Sequence, residues 1–281
     1  MDGSFEVSPL IYKQMYNIAA KIKGKSLPML YSLLPNKSEK INVKLFQLLS
    51  SVPNFKSPVE ATTDFELACI NALLKVWPAT VIFLCWFHFV QNLWKNIQLK
   101  KLKKDYVKDP IVRKLFKYMK FYPFVPITDV ITAFKKIKQC ALDSKCAKFE
   151  PMLAYFEKFY IGKLVRGSDS TRRVPVYPIK MWNVVNRVKS NKDKTNNSLE
   201  SWHKVFSFDA LIHPTFNKLL ENFRVEQKHT HVICQQLLSG DTYDFNKKTR
   251  EKNQAIKDAI DAYSFEHLFT FFDQLILIDS N

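Results

Sequence analysis

The sequence predicts an α/β core followed by a largely helical second part. Extended apolar segments alternate with helical ones up to about residue 106, an alternation typical of a sheet with helices on both faces. After Asp109 and Pro110, apolar residues recur only with the spacing of helices. We therefore expect an α/β core with a large all-α insertion and a helical C-terminal region.

The first two extended segments are expected to form a hairpin. Gln14–Ala20 and Leu27–Leu34 are rich in apolar residues, and the turn residues Lys23-Gly24-Lys25-Ser26 separate them. A helix should follow from Ser38, a residue type that caps helix N-termini, to Leu49.

A second pair of strands is expected to enclose a helix. The short segment Ala61–Asp64 leads into a helix over Phe65–Val76. Thr80–Cys85 is a run of apolar and β-branched residues, the pattern of a buried strand. A long helix should start near Trp86 and continue to about Tyr106.

The remainder of the chain shows helical spacing, with one interruption. The segments with this spacing are 111–121, 128–142, 146–162, 196–208, 215–238 and 247–278, the last with a break near Ser264. Residues 163–194 lack periodicity and hold Pro175 and Pro178, so we expect a long irregular or extended connection there.

The chain is strongly basic. Its 281 residues include 43 Lys and Arg against 26 Asp and Glu, a formal net charge of +17. Such an excess favours a polyanionic partner, either nucleic acid or an anionic membrane surface. Residues 95–120 hold ten basic and two acidic residues, and residues 163–194 hold nine and two.

The second basic segment runs directly into Glu200, where a phosphate backbone would need neutralising. The residues expected to contact that backbone are Arg172, Arg173, Lys180, Arg187, Lys189, Lys192 and Lys194. A solvated basic face is the alternative interpretation.

Several classes of protein are disfavoured by the sequence. The N-terminus lacks the basic and apolar regions of a signal peptide, and no apolar stretch approaches the ~20 residues of a membrane span. Five cysteines without a framework spacing indicate reduced thiols in a cytosolic or nuclear setting. Gly-rich phosphate loops are absent, which disfavours a nucleotide-driven enzyme.

Three separated acids are candidates for metal-dependent chemistry. Asp2 lies near the start, Asp64 ends an expected strand, and Glu200 lies on an expected helix. If the fold brings them together, such carboxylates can hold two Mg²⁺ ions ~4 Å apart for phosphodiester chemistry. A solvated surface position is the alternative for each acid taken alone.

Short motifs in a fixed order resemble those of the Mutator-like element (MULE) transposases. The matching residues are Asp2-Gly3-Ser4-Phe5 with Pro9, Gln14-Met15-Tyr16, Pro28–Leu34 (P-x-x-Y-x-L-L), Thr63–Ala68 (T-D-F-E-x-A), Cys85–His88 (C-x-F-H), Trp182-Asn183, Thr195–His203 (T-N-N-x-x-E-x-x-H) and His213-Pro214. They are collinear over residues 2–214. Each motif is weak by itself, but their order is specific.

The resemblance implies an RNase H-like mixed sheet with a DDE site. Asp2, Asp64 and Glu200 would then be the catalytic triad, which binds two Mg²⁺ or Mn²⁺ ions. The reaction implied is cleavage of DNA at transposon ends and strand transfer into target DNA in the nucleus, by a homo-oligomer assembled on DNA and without a membrane partner.

The same resemblance divides the chain into four parts. Residues 1–106 would be the first part of the catalytic core, and residues 107–194 the helical insertion with the basic connection. Residues 195–240 would be the closing helices that carry the third acid, and residues 241–281 a helical tail.

Two features depart from the family pattern. Only Met1 precedes Asp2, so the first strand of the core would be largely missing, and no zinc-binding DNA-recognition module precedes it. We therefore expect weak or no activity from these residues alone. Two alternatives stay open: a domesticated, non-catalytic regulator that binds DNA or protein, and a nuclease of the same fold without strand transfer.

Two further positions have alternative interpretations. Cys85 and His88 form half of a zinc site, which other histidines could complete, or else they are a buried thiol and a structural or metal-adjacent histidine. Trp202, two residues after Glu200, could stack on an unpaired base, although core packing is the commoner role for a tryptophan. Glu66 is expected to support Asp64 or to cap the helix that follows.

Overall fold

A computed structural model describes residues 1–4, 7–168, 170–195, 202–203, 206, 213–242 and 246–280. The chain forms two compact units. The sheet unit comprises Met1–Cys85 and Thr195–Phe245, and the helical unit comprises Trp86–Lys194 and Asn246–Asn281. The expectation of a mixed α/β architecture is confirmed, whereas the RNase H-like core stays a prediction.

The described residues of the sheet unit form five strands in two sheets. The strands are β1 (Asp2–Ser4), β2 (Gln14–Ile22), β3 (Lys25–Leu34), β4 (Glu60–Thr63) and β5 (Val81–Leu84). The first three form an antiparallel sheet in the order β1-β2-β3, and β4 pairs with β5 in parallel.

The helices of both units are numbered here in chain order. They are α1 (Glu39–Ser50), α2 (Leu67–Val76), α3 (Trp86–Leu99), α4 (Lys103–Lys108), α5 (Pro110–Phe121), α6 (Val130–Asp143), α7 (Glu150–Phe156), α8 (Ile179–Trp182), α9 (Val185–Lys189), α10 (Phe216–Leu238), α11 (Lys247–Asp261) and α12 (Leu268–Ser280).

The predicted β2–β3 hairpin is confirmed. Lys23 and Gly24 form its turn with φ of 43° and 91°. Positive φ at both central residues matches the right-handed twist of the flanking strands. The hairpin therefore closes as its turn residues indicate.

Short polar side chains set the start of two predicted helices. The Ser38 hydroxyl accepts a hydrogen bond from the Ile41 backbone N–H at the start of α1, and Thr215 does the same for Lys218 at the start of α10. Each cap satisfies one of the N–H groups that the first turn leaves without a partner.

Strands β4 and β5 are connected by α2, because parallel neighbours need a crossover. Both strands were predicted, and their register pairs Thr63 with Leu84. The amino group of Met1 donates a hydrogen bond of 2.9 Å to the carbonyl oxygen of Thr62. The start of β1 is therefore beside β4.

The prediction of a single long helix from Trp86 to Tyr106 is wrong. The chain instead forms α3 and α4, with a break at Lys101, whose φ is 59°. The N–H groups of Lys101 and Leu102 turn back to the carbonyl oxygens of Gln98 and Ile97, a hydrogen-bond pattern that ends helices. Glycine usually occupies this left-handed position, so a lysine there gave no sequence signal.

The connection over residues 163–194 is irregular only in part. An isolated bridge joins Leu164 to Arg172, and α8 and α9 follow. Gly162 precedes the bridge with a φ of 89°, and a Cβ atom there would lie 1.9 Å from the Arg173 carbonyl oxygen. Only glycine fits this approach of two backbone segments.

Aromatic side chains fill the core of the helical unit. Trp182 is 1% exposed, and its ring lies 5.9 Å from that of Phe89 and 6.1 Å from those of Tyr122 and Tyr160. This core includes α3, and the compact helical unit starts at Trp86. The division of the chain into core and insertion stays a prediction. Among the described helices, none has the length and apolarity that a bilayer crossing requires.

Candidate functional site

Two of the three candidate acids lie close to a hydrogen bond that joins the start of β1 to β4. Asp2 is the first residue of β1, and Asp64 directly follows β4. The hydrogen bond from Met1 to Thr62 holds the backbones of these strands together within two residues of both acids. Asp2 is one residue and Asp64 two residues away from this contact, although β1 and β4 belong to different sheets.

The carboxylate of Asp64 is half-buried and held on one side. Its Oδ1 atom accepts hydrogen bonds from the Thr63 hydroxyl (3.4 Å) and from the backbone N–H of Glu66 (3.3 Å). Both donors come from residues adjacent in sequence, at the point where β4 ends and the chain turns toward α2. One oxygen of the carboxylate is thus oriented by the protein itself.

A buried polar chain continues inward from Thr63. The Thr63 hydroxyl lies 3.5 Å from Sγ of Cys69, which lies 3.1 Å from the hydroxyl oxygen of Tyr16. An ionised carboxylate only accepts hydrogen bonds, so Thr63 must donate to Asp64. Thr63 then accepts from the Cys69 thiol, which accepts from Tyr16.

Burial keeps the two inner members of this chain protonated. It raises the pKa of Tyr16 well above its ordinary value, and the neighbouring Cys69 adds to this. Burial likewise raises the pKa of the Cys69 thiol, although its hydrogen-bond contacts with Thr63 and Tyr16 oppose this. The order of donors in these hydrogen bonds, from Tyr16 through Cys69 and Thr63 to Asp64, is therefore kept at neutral pH.

Glu66 supports the site through its backbone. Its N–H contacts Asp64, while burial raises the pKa of its own carboxyl against the opposing charge of Lys37. Glu66 precedes α2 without a side-chain capping bond.

The third candidate acid, Glu200, lies outside the described residues. Trp202, two positions later, is half-buried and packs internally. Its ring stacks on Phe206 at 4.8 Å and contacts Tyr31 at 5.5 Å, and its Nε1 donates to Glu226 at 2.7 Å. These contacts show that Trp202 packs against other side chains of the sheet unit. Its position in the sequence alone could not distinguish this role from base stacking.

The predicted zinc residues belong to different units. Cys85 is fully buried at the end of β5, and its backbone N–H donates to Thr63. His88 is half-buried in the first turn of α3, beside Phe87. Within the described residues, which leave out Glu200, no group of three His, Cys, Asp or Glu side chains could hold a metal ion.

Three of the seven basic residues expected at DNA are buried or held inside the helical unit. Arg172 pairs with Glu157 at 2.7 Å and also donates to the Gly162 carbonyl oxygen. Arg187 is 4% exposed. Lys194 is largely buried and donates to Asn253 at 2.6 Å.

The other four basic residues are exposed. Arg173, Lys180 and Lys192 lie on the surface of the helical unit, and Lys189 does so while pairing with Asp261 at 3.3 Å. The local sequence does not separate the two groups, because the partners of the buried members are distant in the chain.

Sequence reasoning missed the support behind Asp64. Tyr16 and Thr63 stand inside motifs that were recognised, but nothing in the sequence connects them through Cys69. Only the packing of α2 against β2 and β4 brings the three side chains together.

Comparison with known proteins identifies the first part of the chain. Residues 1–92 match the family model of the MULE transposase domain. No curated protein and no solved structure matches the chain significantly. The resemblance inferred from the ordered motifs is confirmed for these residues.

Proposed function

Since residues 1–92 match the MULE transposase domain, the chain is transposase-derived, and we propose that it is the catalytic region of a DDE transposase. Its reaction is metal-dependent cleavage of DNA phosphodiester bonds at transposon ends and strand transfer into target DNA. The observation that supports this proposal is the hydrogen bond from Met1 to Thr62, which lies within two residues of both Asp2 and Asp64 inside the matched region.

The donor set suits a hard divalent cation. Asp2, Asp64 and Glu200 supply carboxylate oxygens, the ligand type that Mg²⁺ and Mn²⁺ prefer. Asp64 is half-buried, with Oδ1 held by Thr63 and Glu66, so its orientation is set before a metal ion arrives. When bound, two ions stabilise the attacking and leaving oxygens of an in-line displacement.

The residues of the chain contribute orientation. The carboxylates fix where the ions lie, and the donors behind Asp64 restrict its rotation. Such preorganisation lowers the barrier because groups need not reorganise during the reaction.

The strand arrangement is consistent with an RNase H-like sheet. If β1 continues beside β4 beyond the hydrogen bond of Met1 to Thr62, the two sheets join in the order 3-2-1-4-5. In that order, Asp2 lies on the central strand and Asp64 at the end of its neighbour.

DNA is the proposed partner, and the nucleus is the proposed location. We expect the exposed members of the basic connection to neutralise phosphates, and these are Arg173, Lys180, Lys189 and Lys192. Assembly of several copies on the DNA ends follows from the need to bring two ends together. A zinc ion at Cys85 and His88 remains a separate prediction, which metal analysis of the purified protein tests.

The decisive experiment measures Mn²⁺ binding together with cleavage of duplexes that carry the element's terminal repeats. Asp64→Asn and Glu200→Gln should each abolish Mn²⁺-dependent cleavage and weaken Mn²⁺ binding. Asp241→Asn is the matched control, because Asp241 is an exposed acid of the same unit. Unchanged Mn²⁺ binding in Asp64→Asn would refute the catalytic proposal and favour a non-catalytic DNA-binding regulator.

A further inference from the structure

Among the described residues of the helical unit, several basic side chains share the carboxylate of Asp279. Lys120 of α5 and Lys252 of α11 both pair with Asp279 of α12, the latter at 3.0 Å. Lys252 also donates to the Asp279 backbone carbonyl oxygen at 3.1 Å. One carboxylate thus already serves two ammonium groups.

Lys194 adds a third ammonium group to the same place. It is largely buried, and it interacts electrostatically with Lys252, Arg187, Asp193 and Asp279. Among the described residues, the acceptor found for its three N–H donors is Oδ1 of Asn253, at 2.6 Å. We call this group the lysine cluster, and its members are Lys120, Arg187, Asp193, Lys194, Lys252, Asn253 and Asp279.

The lysine cluster has an excess of positive charge. Among the described residues, the ammonium groups of Lys120, Lys194 and Lys252 all interact with the carboxylate of Asp279, while Arg187 and Asp193 have further contacts of their own. Burial, reinforced by the charge of Lys252, lowers the pKa of Lys194 to about 8 from an ordinary 10.5. A buried cation is stable only when it is paired, so Lys194 lacks part of the counter-charge that it needs.

The carboxylate of Asp279 does not balance the excess positive charge of the lysine cluster. Burial opposes ionisation of Asp279, but the hydrogen bonds from Lys120 and Lys252 outweigh it and keep its pKa below the ordinary value. Asp279 is therefore ionised and already shared. An additional anion is the direct way to complete the charge balance.

We infer that the lysine cluster is a binding site for a phosphate group, with Lys194 as the central cation and Lys120 and Lys252 at the entrance. A tetrahedral phosphate has several acceptor oxygens and can receive charge-assisted hydrogen bonds from more than one ammonium group. The side chains of Lys120 and Lys252 are 24% and 34% exposed, so solvent reaches the cluster from their side.

The phosphate can come from a DNA backbone or from free inorganic phosphate. The DNA source rests on the proposed function, because a DNA-processing enzyme offers backbone phosphates to a site in its basic segment. Lys194 lies six positions before Glu200, at the end of that segment. The phosphate site itself does not depend on catalysis.

The test compares wild type with Lys194→Met, which removes the charge at similar volume, and with Lys194→Arg, which restores it. Lys135→Met is the control, because Lys135 is an exposed lysine of the same unit. Thermal unfolding is followed with inorganic phosphate and with sodium chloride of equal ionic strength. Binding to a short DNA duplex is measured by fluorescence anisotropy on the same proteins.

Phosphate should stabilise wild type and the control beyond the effect of sodium chloride. Its dissociation constant should rise about tenfold in Lys194→Met, the equivalent of one charge-assisted hydrogen bond, and recover in Lys194→Arg. Without phosphate, Lys194→Met should unfold at the same or a higher temperature, because it no longer buries an undercompensated charge.

The outcomes separate the two sources. A parallel loss of DNA affinity in Lys194→Met supports the backbone phosphate, and a loss restricted to inorganic phosphate supports a free-phosphate site instead. Equal stabilisation of wild type and Lys194→Met by phosphate, or none in either, overturns the inference. If Asp64→Asn keeps normal Mn²⁺ binding, the catalytic proposal fails while the phosphate result stands.

Discussion

The hydroxyl group of Thr63 lies 3.4 Å from Oδ1 of Asp64, and it is the last donor of a buried chain that starts at Tyr16. The threonine therefore connects the candidate carboxylate to the core of the sheet unit. One carboxylate oxygen receives these internal donors, and under the proposed function the other oxygen would bind the metal ion. This relationship makes Thr63 a positioning residue for Asp64.

Thr63→Val should weaken Mn²⁺ binding by about fivefold, since losing one hydrogen bond to a charged group costs about 1 kcal/mol or more. Valine keeps the branched shape but cannot donate. Thr63→Ser restores the hydroxyl and should bind Mn²⁺ within about twofold of wild type. Calorimetric titration of the three proteins measures the effect.

Thermal unfolding shows whether the valine variant is folded. A purely structural role predicts that valine and serine change stability without changing Mn²⁺ affinity. Equal affinity in Thr63→Val and wild type, together with loss in Asp64→Asn, would contradict the positioning role.

The five cysteines should divide into two classes of reactivity. Cys69, Cys85 and Cys146 are buried, and burial raises the pKa of the Cys69 and Cys146 thiols. Thiolates are the reactive species, so these positions should react slowly with a thiol reagent in the native protein. Half-buried Cys140 and Cys234 should react first.

Mass spectrometry after brief labelling identifies the modified positions. Denatured protein should label at all five cysteines, which provides the reference. Rapid labelling of Cys69 in the native state would mean that the polar chain behind Asp64 is open to solvent.

Local signals in the sequence predicted the elements that depend on neighbouring residues. The turn at Lys23 and Gly24 and the caps at Ser38 and Thr215 act within a few positions, so their chemistry is visible in the sequence. The break at Lys101 was missed for the converse reason. Its left-handed backbone position carries a lysine rather than a glycine, so the residue type gives no signal for the helix end.

The sequence predicted only those residues of the candidate site that belong to recognisable motifs. Asp2 and Asp64 stand in recognisable segments, but Cys69 links Thr63 and Tyr16 through tertiary packing. We expected the basic residues to lie on the surface, because charged side chains usually do. Arg172 and Lys194 differ because Glu157 and Asn253 meet them in space, and such partners cannot be read from spacing.

Two adjacent arginines should behave in opposite ways. Arg172→Ala should lower the free energy of unfolding by about 2 kcal/mol, because half-buried Glu157 keeps only its longer ion pair with Lys138 and the Gly162 carbonyl oxygen loses a donor. Arg173→Ala should change it by less than about 0.5 kcal/mol, since Arg173 is exposed. Urea unfolding of both variants gives the comparison, and similar losses in the two would contradict the pairing.

The exposed basic residues of the connection should contribute to the salt dependence of DNA binding. Replacing Arg173 and Lys180 together by alanine removes two phosphate contacts. The slope of log K against log salt should then fall by about 1.8, from about 0.9 for each phosphate contact. Anisotropy titrations at several salt concentrations measure this slope.

The control for this experiment replaces Lys75 and Lys135, which are exposed and lie outside the connection. It lowers net charge equally. A fall of the same size in the control would show that total charge, rather than the connection, determines DNA binding.

The buried ammonium of Lys194 should make the protein more stable as the solution becomes alkaline. Its pKa is lowered to about 8, mainly by burial, whereas the unfolded chain keeps the ordinary 10.5. Between these values the unfolded state binds more protons, so the free energy of unfolding rises with pH. The gain should approach about 3 kcal/mol by pH 10.5 relative to Lys194→Met, from 1.36 kcal/mol for each pKa unit.

Urea unfolding of both proteins from pH 7 to pH 10, in buffer without phosphate, measures the difference. Added phosphate should move the rise to higher pH, because a bound anion favours the charged form of Lys194. A difference between the two proteins that stays constant over this range would show that Lys194 keeps its ordinary pKa.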